Sequence, residues 1–184
     1  MNKPLWSPSP EMIARTPIEA LRRAAEKVAG QPLADTRALH AWSVADRASF
    51  WTLVWDFCQV IGDRGSVALA DGDAMPGARF FPEARLNFAE NLLRRTGPGD
   101  AIVFRAEDRV SRRLSWDDLH ALVSRFQQLF RSLGLRQGDR VAAMMPNMPE
   151  TVAAMLAAAG LGAIWTSCSP DFGEQGVLDR FGQV

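Results

Sequence analysis

Apolar residues recur at helical spacing in some stretches and form short uninterrupted runs in others. Within residues 11–29, Ile18, Leu21, Ala25 and Val28 share one narrow face, while Arg22, Arg23 and Lys27 occupy a solvated opposite face. A break is expected at Thr16-Pro17, because proline suits the first turn of a helix. Gly30 is the expected C-terminal stop. Pro4, Pro8 and Pro10 make residues 1–10 an extended arm. Ser43 and Asp46 have capping-box spacing and predict a helix running to about Val60. Its Phe50, Trp51, Leu53, Val54, Trp55, Phe57 and Val60 are apolar nearly all round, which predicts a buried helix. Residues 62–65 break the pattern, residues 71–78 read as a loop, and Arg85–Arg95 as a short helix carrying Leu86, Phe88, Leu92 and Leu93. Gly97-Pro98-Gly99 is the sharpest break. It sets an expected division into an N-terminal helical and extended region, 1–98, and the start of an α/β domain, 99–184.

Past that break the periodicity changes. Ala101–Phe104 and Val110–Leu114, joined by a turn at Glu107-Asp108, predict a hairpin. Ser115 caps a helix in which Leu119, Leu122, Val123, Phe126, Leu129, Phe130 and Leu133 follow the 3.6-residue period, and Gly134 closes it. Arg140–Met145 and Ala163–Ser167 are short apolar runs suited to buried parallel strands. The alanine-rich segment between them starts at Pro149 and ends by Gly160 or Gly162, giving a βαβ unit. Asp171 and Glu174 again have capping-box spacing, ahead of a helix with Val177, Leu178 and Phe181. The expected fold is therefore α/β: an N-terminal helical region, then a partial, mostly parallel sheet with packed helices. Two core strands with bare edges are not a finished sheet, so the chain reads as an N-terminal piece of a larger domain.

Composition narrows the chemistry. The 184 residues carry no formal net charge, with 47% hydrophobic and 23% charged residues, inside the globular range. No basic excess supports nucleic-acid binding. The longest uncharged apolar run, Val152–Trp165, is shorter than the roughly 18–20 residues needed to span a bilayer, and no signal peptide precedes it. A cytoplasmic protein is expected. Nineteen of the 21 basic residues are arginine, and no lysine follows Lys27. Two cysteines, Cys58 and Cys168, are too few for a disulfide framework or a four-ligand zinc site.

Several catalytic signatures are absent. No Gly-Lys-Ser/Thr triplet marks a phosphate loop, and Trp165 stands where a dinucleotide fingerprint after Gly160 and Gly162 needs its third glycine. Those two glycines fit a tight helix-to-strand turn. Asp71 and Asp73 begin like a calcium loop, but Met75 fills the third ligand position. Asp117 and Asp118 point about 100° apart on a helix and serve its positive end. No catalytic or metal-ligating residue is assigned. One locus remains, Thr166–Gly173, which follows a parallel strand and precedes a helix. Open α/β sheets bind ligands at that edge, and a helix N-terminus offers free N–H groups to anions. Against this, Asp171 as N-cap would already occupy those donors, and its charge opposes a phosphate. The residues leave both readings open.

Several strings, taken in order, resemble the N-terminal region of the acetoacetyl-CoA synthetase family within the acyl-adenylate-forming superfamily. They are Leu39-His-Ala-Trp-Ser-Val44, Val54-Trp-Asp-Phe57, Ala84-Arg-Leu-Asn-Phe-Ala-Glu-Asn-Leu-Leu93, Leu114-Ser-Trp-Asp-Asp-Leu119 and Pro146-Asn-Met-Pro-Glu150. Gly162-Ala-Ile-Trp165 and Ser167-Cys-Ser-Pro-Asp-Phe-Gly173 complete the series and are the most specific. The resemblance implies a ligase that activates acetoacetate with Mg2+ and ATP and transfers the acyl group to coenzyme A. It implies CoA contact at Ser169, Pro170 and Asp171. It also implies that the phosphate loop and catalytic lysine lie beyond Val184, within the remainder of the synthetase, so that these 184 residues alone are inactive. Two other readings stand beside it: a free-standing α/β module that binds CoA or a nucleotide, and a non-catalytic interaction domain.

Overall fold

The protein is described by a computed structural model covering residues 5–107 and 109–184. These residues form two compact units, one running to Leu86 and one from Asn87 to Val184.

The first unit opens with α1 (Pro10–Ala14) and α2 (Pro17–Ala29), separated at the expected Thr16-Pro17 break. Thr16 caps α2 by accepting from the Glu19 N–H, and Gly30 ends it in the left-handed conformation, φ 65°. Pro4 of the expected extended arm lies outside the described residues, and α1 already begins at Pro10. Two helices then replace the single one expected from Ser43. They are α3 (Thr36–Ala45), capped by Asp35, and α4 (Arg47–Phe57), capped by Asp46. Ser43 lies inside α3, where its hydroxyl donates to the His40 carbonyl. Asp46 does form the cap, but from its own position, accepting from the Ser49 N–H at 3.1 Å.

The core of this unit is Ala25, Leu33, Leu39 and Trp42, with Phe50 and Leu53 packed against it. Helix α4 is not buried all round. Phe50, Leu53, Val54 and Trp55 are half-buried, whereas Trp51 and Phe57 are exposed. One side meets α2 and α3, and aromatic rings add contact elsewhere, Trp51 on Phe80 at 5.8 Å and Trp55 on Phe81 at 5.1 Å. Two antiparallel ribbons follow: β1 (Gly62–Asp63) with β4 (Arg85–Leu86), and β2 (Leu69–Ala70) with β3 (Arg79–Phe80). The intervening loop holds Asp71 and Asp73 against Arg79 and Arg47, at 2.9 and 2.7 Å. These carboxylates are thus ion-paired, in keeping with the failed calcium pattern.

Arg22 also departs from its expected solvated face. It bonds Glu19 at 2.7 Å, Glu26 at 2.5 Å and the Leu33 carbonyl, with its side chain 14% exposed. Hydrogen bonds from Arg22 and then Arg23 hold the Glu19 carboxyl down to about 2. A depressed carboxyl stabilises the folded state above its unfolded pKa and loses that contribution as pH falls toward the folded value. Urea midpoints of this unit should therefore be level from pH 7 to about pH 5 and fall between about 4.5 and 2. Arg22→Ala should lower the plateau and flatten that acid slope; an unchanged slope would contradict the network.

The second unit begins with α5 (Phe88–Leu92), capped by Asn87 and shorter than expected, because Arg85–Leu86 is taken up by β4. The hairpin forms as β5 (Asp100–Ala106) against β6 (Val110–Ser115), with Val103 opposite Arg113 and Phe104 opposite Arg112. Asp108 of its expected turn lies outside the described residues. Ser115 and Asp118 make a complete capping box for α6 (Trp116–Ser132). Asp117 accepts from the Gly97 N–H at 2.7 Å, so the two acidic neighbours do separate structural jobs. Then β7 (Arg140–Met144), α7 (Pro149–Gly160) and β8 (Ile164–Cys168) form the expected βαβ unit, with β7 and β8 parallel and Arg140 opposite Ile164. The chain ends in α8 (Glu174–Phe181).

The core here is Ala89, Leu119, Val123, Ala153, Leu156 and Ala157, where α5 and α6 pack on α7. At Gly160 a Cβ would stand 3.7 Å from the Ala89 Cβ, an ordinary contact, and 2.6 Å from the Gln127 amide, the mobile end of a side chain that can move aside. Gly162, at φ 74°, makes the turn into β8. The α/β organisation is present, but its sheet is partial. Strands β7 and β8 are not buried on both sides as expected; Met144 and Ile164 are 49% and 43% exposed. A two-stranded sheet leaned on by α7 and α8 covers only part of its surface.

Candidate functional site

Strands β7 and β8 end side by side, since parallel pairing puts Met144 opposite Cys168. The chain leaves both in the same direction, and a cleft of about 290 Å3 opens between the two exits. Met145, Pro146 and Asn147 form one wall, Ser167, Cys168 and Ser169 the other, and Thr151 of α7 adds to the lining. The first exit is held in place locally. The Met145 N–H donates to the Cys168 carbonyl at 3.1 Å, and the Thr151 hydroxyl donates to the Pro146 carbonyl at 2.7 Å. The second is fixed by Trp165, whose indole N–H donates to the Ser167 hydroxyl at 3.2 Å. Cys168 is a buried free thiol. Apart from it, the polar groups of the cleft are hydroxyls and one amide, a neutral donor and acceptor set suited to orienting a ligand rather than to proton transfer.

The three residues singled out in the sequence separate here. Ser169 lines the cleft and is half-buried; Pro170 and Asp171 follow it on the exposed surface. The Ser169 hydroxyl donates to the Asp171 carboxylate at 2.8 Å. That contact overturns the expected capping box. Asp171 turns back to Ser169, and Gly173 becomes the N-cap of α8 with no side-chain hydrogen bond. Asp171 therefore does not occupy the first N–H groups of α8. Phe172 is held separately, with the Arg180 guanidinium 3.6 Å from its ring centroid.

The sequence reading missed the opposite wall. In the sequence, Pro146 and Asn147 stand only ahead of a helix and within one resembling string, and Thr151 carries no signal of its own. The signal that could have located them was topological: a parallel pair presents both C-terminal exits to one edge, so the turn after β7 belongs to the site as much as the turn after β8.

A larger groove, about 790 Å3, lies within the first unit between the Trp6–Ile13 segment and α2. It is mostly apolar; of its charged residues, Glu19, Arg22 and Arg23 are already paired, and Asp35 caps α3 by accepting from the Ala38 N–H. It lacks convergent polar groups free to recognise a ligand, so the smaller cleft is the better candidate. Among the described residues, no group of three His, Cys, Asp or Glu side chains could hold a metal ion. No helix among them is long and apolar enough to cross a membrane.

Comparison with known proteins is consistent over the whole length. Residues 90–183 match the AMP-binding enzyme family, and residues 36–92 match the acetyl-coenzyme A synthetase N-terminus. An acetoacetyl-coenzyme A synthetase of Rhizobium meliloti is 63% identical over 183 residues, covering 100% of this chain and 28% of that protein. A malonamoyl-CoA synthetase of Penicillium aethiopicum is 38% identical over 177 residues, covering 92% of this chain and 24% of that protein. The solved acetoacetyl-CoA synthetase from Streptomyces lividans superposes with a TM-score of 0.91 at 39% identity, covering 100% of this chain and 29% of that one. The chain thus spans about a quarter of the length of the relatives it matches.

Proposed function

The chain belongs to the AMP-binding enzyme family, and on that premise we propose that it is the N-terminal part of an acetoacetate–CoA ligase. The observation that carries this reading is the 63% identity, end to end, with a protein named for that activity. In that reaction the acetoacetate carboxylate attacks the α-phosphate of ATP, releasing pyrophosphate and giving acetoacetyl-AMP, and the CoA thiol then displaces AMP. The neutral cleft at the ends of β7 and β8 supplies contacts to CoA. Ser169 is the residue of the Ser169-Pro170-Asp171 segment placed to touch it, through a hydroxyl at the cleft wall. Pro170 and Asp171 border the same path on the surface.

These residues suit part of a CoA molecule. A volume of about 290 Å3 admits a pantetheine or ribose segment rather than the whole, and hydroxyls and an amide match its neutral polar groups. They do not suit Mg2+ and ATP: the described residues carry no cation-binding cluster, and no lysine follows Lys27. We therefore assign adenylation to residues outside these 184 and derive no step through the metal here. The α/β synthetase portion is taken to start at the Gly97-Pro98-Gly99 break, and the enzyme is placed in the cytoplasm.

Titration with CoA, followed by tryptophan fluorescence with Trp165→Phe as control, tests the cleft. Saturable binding is expected, weakened by Ser169→Leu about 2- to 12-fold, the range of one net hydrogen bond. Binding that is indifferent to position 169, or no saturable binding, would contradict the assignment.

A further inference from the structure

One ion pair in the second unit spans distant sequence and ends beside the cleft. On β6, Arg112 and Leu114 lie two residues apart and so face the same side of the hairpin. Leu114 is buried there. Arg113, on the other side, pairs with Asp100. Arg112 instead reaches the first turn of α7, where its Nη1 lies 2.7 Å from Glu150 Oε1.

That turn is seated by the buried Pro149 and by the Thr151 N–H donating to the Met148 carbonyl at 3.0 Å, but its N-terminal end has no side-chain cap. Its N-cap, Met148, makes no side-chain cap hydrogen bond, and Pro149 has no N–H to offer. Glu150 is half-buried, and its Oε2 is sealed from solvent without a hydrogen-bond partner. Burial pushes the Glu150 carboxyl up, but Arg112 and the helix's own N–H outweigh it and hold the group below its ordinary value. Arg112 is the side-chain partner that compensates this half-buried carboxylate, and removing it leaves the charge with only the helix's own N–H. The next residue is Thr151, whose hydroxyl fixes the Pro146 carbonyl in the cleft wall.

We propose that Arg112 and Glu150 are positioning residues for the cleft: their ion pair sets the first turn of α7 and, through Thr151, the Pro146-Asn147 wall. This rests on the reading of the cleft as a CoA contact. Neither residue lines the cleft, so their effect reaches it only through backbone placement.

The test is amide NMR of the 184-residue chain with CoA titration, for wild type, Arg112→Ala, Arg112→Lys and the isosteric Glu150→Gln. Arg112→Ala and Glu150→Gln should move the Asn147, Thr151 and Ser167 amide resonances and weaken CoA about tenfold, within the range found for residues acting at a distance. Arg112→Lys should restore most of both. Lowered melting temperature with cleft resonances unmoved would overturn the proposal, as would Arg112→Ala and Glu150→Gln binding CoA as tightly as a wild type that binds. If wild type does not bind CoA, the ligand reading fails. The resonances then decide alone: displaced cleft amides uphold the positioning role, and unmoved ones overturn it.

Discussion

Leu156→Ala is expected to destabilise the second unit by about 3 kcal/mol, within the range for a buried leucine that leaves a cavity. Leu156 is 3% exposed and lies among Ala89, Leu119, Val123, Ala153 and Ala157. Four of α7's buried residues are alanines. They bring its backbone close to α5 and α6 but fill little volume, so Leu156 is the largest buried side chain that α7 places in this core. The alanines beside it cannot reach into the gap, and the cavity should persist. For a unit of this size the loss corresponds to a drop of roughly 12–24 °C in melting temperature. Leu156→Met, similar in volume, should cost less than about 1.5 kcal/mol. Hydrogen exchange reads each unit separately, which matters because two units need not unfold as one transition. A loss below about 1 kcal/mol for the alanine variant would show that α7 does not anchor this core.

Trp42→Ala should be the most damaging change in the first unit, costing about 4 kcal/mol. The indole is 8% exposed and meets Phe50 edge-on, with ring centroids 6.0 Å apart at 80°. It joins α3 to α4, and no other core side chain there is as large. Trp42→Phe keeps part of the area and the aromatic contact, so it should retain about half of the stability. Exchange protection in α2 and α4 should fall with Trp42→Ala while the second unit's protection is unchanged. Intact protection in α4 would contradict its place in the core.

Elements whose cause is local were legible in the sequence. Pro17 at a first turn, Gly30 in left-handed conformation, Ser115 as a cap, and the Gly162 turn are each set by a few adjacent residues, and each stands where expected. Errors arose where a local pattern had two solutions. Ser43 and Asp46 have capping-box spacing, but Asp35 starts a helix that runs through Ser43, leaving only Asp46 as a cap. Asp171 likewise has the right spacing to Glu174, yet the Ser169 hydroxyl is nearer and holds it. Arg22 read as solvated because helical periodicity ignores what the next loop brings; the Leu33 carbonyl closes over it from eleven residues on. The cleft was half legible. The strand-to-helix edge marked the stretch Thr166–Gly173 and the resemblance marked Ser169 within it, while Asn147 and Thr151 depend on the register of β7 against β8, which periodicity does not reveal.

The central claim is that these residues supply the N-terminal part of an acetoacetate–CoA ligase without its adenylating groups. The direct test joins residues 1–184 to the rest of the Rhizobium meliloti acetoacetyl-coenzyme A synthetase, in place of that protein's own matching segment. Acetoacetyl-CoA formation is then measured with acetoacetate, ATP, Mg2+ and CoA. The chimera should turn over acetoacetate, and the 184-residue chain alone should form neither acyl-AMP nor acyl-CoA. A folded chimera with no turnover, or catalysis by the isolated chain, would contradict the claim.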